Sequence, residues 1–169
     1  LGDVYKRQIQ FKLEGEIIRR RPEFEMDDRM LLHHIDLKRG VVHIDGKDYT
    51  LKDTNWPTLD PKDPYRLSIE EEDLIRKILH SFESSEKMKK HMRCFFRHGG
   101  MYQVCNSNLL FHASIPMNPD GTFKSVRILG QDYKGRALLD RVDQLIRTAY
   151  FKTGEQEEVE YAHDYILSL

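Results

Sequence analysis

Apolar positions Ile9, Leu13 and Ile17 recur at four-residue spacing, which predicts a helix that begins before Ile9. The basic triplet Arg19-Arg20-Arg21 and then Pro22 end it. Residues 27–35 have the composition of another short helix. The runs VVHI and KDYTL flank Asp45-Gly46, the strongest short hairpin signal, because a type I′ turn needs positive φ at both central positions. A β-hairpin is expected over 41–51. Residues 52–67 hold Pro57, Pro61 and Pro64 and read as a loop. Ser68 and Glu71 form a capping box for a helix with Ile75, Ile78, Leu79 and Phe82 on one stripe. A second helix from about Ser85 carries Met88, Met92, Phe95 and Phe96, and Gly99-Gly100 stops it as a C-terminal cap. The two are expected to pack as an antiparallel helix pair through Ile75, Ile78, Leu79, Met92, Phe95 and Phe96.

After Gly100 the pattern shortens. MYQVC and NLLFHAS are β-type runs parted by Asn106-Ser107-Asn108, and Asn118-Pro119-Asp120-Gly121 is a turn. A long amphipathic helix is expected over 134–151, with Leu138, Val142, Leu145, Ile146 and Ala149 inward. A last helix follows over about 157–166. The mixture is α+β, with too few strands for a self-contained sheet, as in a piece of a larger protein.

Composition adds limits. Of 169 residues, 39% are hydrophobic and 33% charged, an ordinary soluble balance with aromatic anchors that argues against disorder. Net charge is −1, so nothing draws the whole chain to nucleic acid or to an anionic membrane. No apolar run approaches the ~20 residues that span a bilayer. Two cysteines, Cys94 and Cys105, give no disulfide framework and suit a reducing compartment. The cytoplasm is therefore the expected location.

The ends are unusual. LGDVYKRQ, residues 1–8, resembles a translated transposon end from a sequencing library. The closing Leu167-Ser168-Leu169 fits the same element in the opposite orientation. Both are set aside as adapter-like scars.

Among candidate chemistries, His91, Cys94, His98, Cys105 and His112 invite a zinc reading, although no CxxC knuckle is present. Arg19-Arg20-Arg21 suits either a phosphate or a solvated helix end. Tyr133-Lys134-Gly135-Arg136 opens the long helix, where free N–H groups and the Arg136 fork suit an anion or simply start the helix. His112 closes the apolar run NLLFH, ahead of Ala113-Ser114 and a proline loop. There it is either a ligand-facing imidazole or a hydrogen-bonded structural histidine.

The segments IQFKLEGEIIRRRPEFEM, HIDGKDYTL, SEKMKKHMRCFFRHGGMY, NSNLLFHASIPMNPDGTF and YKGRALLDRVDQLIRTAYF follow one another as in class III fructose-1,6-bisphosphatases. Over nearly all of 9–166 the chain resembles that family, which belongs to the calcineurin-like metallophosphoesterases. The resemblance implies a four-layer αββα core, with residues 9–100 as a helical insertion and 101–166 as part of the core. Of the superfamily's five motifs (DxH, GDxxDR, GNH followed by Asp or Glu, a strand-end His often followed by Gly, and a late GH) only the fourth is present. It falls on His112, with Ala113 in place of the frequent Gly. His112 is thereby implied as a metal ligand, and Arg136 is a substrate-binding candidate; no catalytic residue is assigned.

The implied cofactor is a manganese pair. The implied reaction is hydrolysis of the 1-phosphate of fructose 1,6-bisphosphate to fructose 6-phosphate, in gluconeogenesis. With one ligand motif, this chain is expected to be inactive alone. Nucleic acid and membrane are not expected partners, and a homo-oligomer stays open. The rival readings are a non-catalytic helical interaction module and a small zinc-binding domain.

Overall fold

A computed structural model describes residues 2–111 and 114–168, with residues 2–4 described as helix backbone alone. The architecture is α+β, with five α-helices and three small antiparallel sheets among the described residues. The chain divides into two compact units. One holds Leu1–Ser84 with Leu167–Leu169, and the other holds Ser85–Ile166.

The first unit opens with α1, Gly2–Arg20, which buries Ile9, Ile17 and Ile18. The helix expected from Ile9 is present, and residues 2–8, set aside as adapter-like, continue it toward the N-terminus. Pro22, which cannot donate the next helical hydrogen bond, starts a 3₁₀ turn, Pro22–Phe24. The short helix expected over 27–35 is instead two separate 3₁₀ turns, Asp27–Arg29 and Leu32–His34. Strands β1 (Ile35–Asp36), β2 (Val41–Ile44) and β3 (Lys47–Thr50) form one sheet. Asp45 (φ 49°) and Gly46 (φ 74°) both take the left-handed conformation required by the β2–β3 turn.

The proline loop leads to α2, Ile69–Ser84. Its capping box is formed in both directions. The Glu71 N–H donates to Ser68 Oγ (3.2 Å), and the Ser68 N–H donates to Glu71 Oε2 (2.7 Å).

Glu71 is also buried. The Lys12 ammonium, itself fully buried, donates to Glu71 Oε2 and to the Thr58 carbonyl, both at 2.8 Å, and lies 3.2 Å from Thr58 Oγ1. The Thr58 hydroxyl donates to Glu71 Oε1 and also meets the Gln8 amide. Every acceptor of this ion pair is used, which is the condition for tolerating two buried charges. Nearby, Tyr65 is buried. Its hydroxyl accepts from the Leu32 N–H (3.0 Å) and meets His33 Nδ1 (3.1 Å). Its ring lies against Gly15, where any side chain would collide.

The second unit begins with α3, Glu86–His98, whose N-cap Ser85 accepts from the Met88 N–H (3.2 Å). At its end the Gly99 N–H donates to the Phe95 carbonyl (2.7 Å), but Gly99 is extended (φ −100°). The glycine pair thus caps the helix, as its place in the sequence predicts, with Gly99 itself in an extended conformation. Strands β4 (Tyr102–Cys105) and β5 (Asn108–Phe111) make a hairpin through Asn106 and Ser107, both with positive φ. Strands β6 (Val126–Ile128) and β7 (Gln131–Tyr133) make another that the spacing did not announce. Helix α4, Gly135–Phe151, buries Leu138, Leu139, Val142, Leu145 and Ala149. Helix α5, Gln156–Ser168, buries Tyr161, Ala162 and Tyr165. Arg141 on α4 pairs with Glu158 on α5 (3.1 Å), and His163 meets the Ala149 carbonyl (2.9 Å).

The residues expected to join α2 and α3 into an antiparallel pair are not a buried set. Ile78 (45%), Leu79 (54%) and Phe95 (61%) are exposed, and α2 and α3 fall in different units. Amphipathic spacing identifies an apolar face but not what covers it. Of the residues named, Phe96 alone is fully buried, and it packs on Tyr150 and Phe151 of α4, with ring centroids 4.7 and 5.2 Å away.

Candidate functional site

The strand that leads to His112 is now placed. Strand β5 pairs with β4 in the register Tyr102↔Phe111 and Gln103↔Leu110, so Tyr102 and Phe111 share one face. His112 and Ala113 lie outside the described residues. The apolar run before them is not a buried strand: Leu109, Leu110 and Phe111 are all exposed, as is Val104 opposite.

Beside Phe111 lies a shallow, open depression of about 510 Å³, bordered by the end of α3, the Gly99-Gly100 corner and the base of the hairpin. Helix α4 braces its walls. The Arg147 guanidinium donates to the Phe96 carbonyl (2.7 Å) and the Gly99 carbonyl (3.1 Å), and is itself fixed by Asp143 (2.7 Å). The Tyr102 hydroxyl donates to Asp140 Oδ1 (2.9 Å). Arg136 lies over the Tyr102 ring, 5.8 Å from its centroid, and 3.6 Å from Asp140. Arg136 is well exposed, so its charge remains available to solvent or to a ligand.

The other candidates do not assemble. Among the described residues no group of three His, Cys, Asp or Glu side chains stands where it would hold a metal ion. His91, Cys94, His98 and Cys105 are exposed, and the zinc reading has no support from them. The Arg19-Arg20-Arg21 triplet is engaged within the protein. Arg19 pairs with Asp63 (2.9 Å) and lies over the Tyr65 ring (4.8 Å), and Arg21 pairs with Glu23 (3.7 Å).

A second cavity of about 440 Å³ lies in the first unit, among Leu32, His33, Leu59 and Pro64. Burial, then the neighbouring His34 and Arg19, lower the pKa of His33 from its ordinary value. Among the described residues no helix is long and apolar enough to cross a membrane.

Residues 6–169 match the family model described as Firmicute fructose-1,6-bisphosphatase. The chain belongs to that family. It is 63% identical over 158 residues to the class 3 fructose-1,6-bisphosphatase of Bacteroides fragilis, covering 94% of the chain and 24% of that protein. Against the class 3 enzyme of Clostridioides difficile it is 50% identical over 156 residues, covering 92% of the chain and 24% of that protein. The chain thus spans about a quarter of the length of these curated relatives. No solved structure matches it.

Proposed function

We propose that the longer protein containing this chain hydrolyses the 1-phosphate of fructose 1,6-bisphosphate, yielding fructose 6-phosphate and inorganic phosphate. The observation that carries this reading is the family match over residues 6–169, together with 63% identity to a named class 3 enzyme. In that protein, residues 9–100 are the helical insertion and 101–166 a part of an αββα core. The open hairpin β4–β5 supports the second assignment. Its exposed apolar side chains suit strands that continue into a sheet supplied by the remaining three quarters of the polypeptide. The setting is cytoplasmic gluconeogenesis.

Manganese is the cofactor we assign, with His112 giving one imidazole nitrogen and other parts of the longer protein giving the rest. When bound, such ions stabilise charge on phosphate oxygens and acidify water. This chain's own contribution is to position: the arginine-braced Gly99 corner fixes the base of the hairpin that leads to His112, and Arg136 offers a charge to a substrate phosphate. This chain alone is inactive, because one ligand cannot hold the metal pair.

The test is His112→Ala in the longer protein. Activity is expected to fall at least ~100-fold with loss of bound manganese while the fold stays intact. Retained turnover and metal with a lowered melting temperature would assign His112 a structural role instead.

A further inference from the structure

One face of α4 carries Arg136, Asp140, Asp143 and Arg147, spaced i, i+4, i+7 and i+11, opposite the buried Leu138, Val142, Leu145 and Ala149. A solvated helix face leaves such side chains to water. Here all four stand against residues 96–102, the turn from α3 into β4. Arg136 lies over the Tyr102 ring, and Asp140 accepts from the Tyr102 hydroxyl (2.9 Å). Asp143 lies beside Gly100, 3.8 Å from the point where a side chain there would begin. Arg147 makes the most contacts. Its guanidinium donates to the Phe96 carbonyl (2.7 Å) and the Gly99 carbonyl (3.1 Å), lies over the Phe96 ring (5.6 Å) and is held by Asp143 (2.7 Å). The Phe96 carbonyl is among the last of α3, which have no donor within the helix. One planar fork thus supplies a missing partner and spans the corner, which the compact ammonium of a lysine is not shaped to do.

From this we infer that Arg147 is a positioning residue for the phosphatase centre: it locks the turn into β4 and thereby the strand end that precedes His112. The inference rests on the metal-dependent reading above and adds the residue that holds its strand in place. The line of action is short. Arg147 fixes Phe96 and Gly99 at the entry to β4, and Asp140 fixes Tyr102, the first residue of that strand. Tyr102 pairs with Phe111, the last residue of β5, and His112 follows Phe111 in the chain. The apolar side chains of the hairpin are exposed, so its own packing holds it weakly, and within this unit the contacts from α4 take that role. A metal ligand that follows a loosely held strand misses the tolerance of about 0.5 Å that a preorganised site requires.

The experiment uses the longer protein and reads its manganese dissociation constant by equilibrium dialysis, alongside melting temperature and phosphate release from fructose 1,6-bisphosphate. Arg147→Ala is expected to raise that constant about tenfold with the fold intact. Millimolar guanidinium, far too dilute to unfold a protein, should restore most of the affinity by refilling the place of the fork, and sodium at equal ionic strength should not. Tyr102→Phe keeps the ring and removes only the hydroxyl held by Asp140; it is expected to raise the constant about threefold. This second variant decides the matter if Arg147→Ala does not fold. Constants within about twofold of the parent for the folded variants overturn the inference and leave the phosphatase reading standing. A lowered melting temperature with unchanged manganese affinity does the same, because it makes the brace structural only. Weakened binding that guanidinium does not restore assigns the loss to packing and also overturns it. A parent protein that binds no manganese, or releases no phosphate, removes the reading beneath and the inference with it.

Discussion

Replacing Lys12 by Met is the sharpest probe of the first unit. Both side chains of the Lys12–Glu71 pair have 0% exposure, and the ammonium makes contacts of 2.8, 2.8 and 3.2 Å. Methionine fills most of the lysine volume but leaves the Glu71 carboxylate buried without its counter-charge. Removing one partner of such a pair costs roughly 3–5 kcal/mol, far above the ~0–1 kcal/mol of an exposed pair. At a urea slope of about 2 kcal/mol per M, the midpoint should fall by roughly 1.5–2.5 M. The single tryptophan, Trp56, stacks on Phe11 at 6.5 Å within the same unit and reports its unfolding by fluorescence. The double variant Lys12→Met with Glu71→Leu should recover most of the loss, because no lone charge remains. About 1 kcal/mol stays missing, since Glu71 also accepts the Ser68 N–H of the capping box. A Lys12→Met variant within about 1 kcal/mol of the parent would refute the reasoning. So would a double variant as unstable as the sum of the two singles, which would mean no coupling.

Three more outcomes follow from the same unit. Gly15→Ala should destabilise by about 1–2 kcal/mol although alanine favours a helix by ~1 kcal/mol, because the new methyl would stand 2.0 Å from Tyr65 Cδ1; a higher Trp56 melting temperature would contradict this. For Glu71, burial opposes ionisation, but the Lys12 ammonium, the Thr58 hydroxyl and the Ser68 N–H together hold its pKa below the ordinary value. Its stabilising effect is thus complete above the unfolded value and lost as pH falls through the lower folded one. The stability advantage of the parent over Glu71→Gln should therefore be constant above about pH 5 and shrink below about pH 4. An advantage that grows with acid would reverse the sign and refute it. Lastly, the His33 ring protons should titrate in NMR with a midpoint below 6.5, and a midpoint above that value would place His33 in open solvent or beside a carboxylate.

What was legible in the sequence was local. The Asp45-Gly46 turn, the Ser68–Glu71 box and the stripe of α4 each follow from chemistry confined to a few neighbouring residues. What stayed hidden depended on distant partners. Lys12 and Glu71 meet across 59 positions, and nothing in a lysine on an amphipathic helix signals that its ammonium will be dry. The stripes of α2 and α3 were visible, yet Ile78 and Phe95 find no cover, while Phe96 finds Tyr150 and Phe151. The β6–β7 hairpin was missed because its strands have three residues each and its turn puts Leu129 (φ 48°) beside Gly130, a residue seldom found in that conformation. At the candidate site, Arg136 was legible as an exposed cation at a helix start. Its stacking on Tyr102, and the Arg147 bond to the Gly99 carbonyl, join residues 34 and 48 positions apart, beyond any motif.

The central claim is that this chain is one part of a metal-dependent sugar bisphosphatase. The most direct measurement is phosphate release from fructose 1,6-bisphosphate, with added manganese, by the longer protein and by this chain side by side. The account predicts manganese-dependent turnover yielding fructose 6-phosphate from the longer protein and none from the chain alone. Turnover by the rigorously purified chain, or none by the manganese-loaded longer protein, would contradict it.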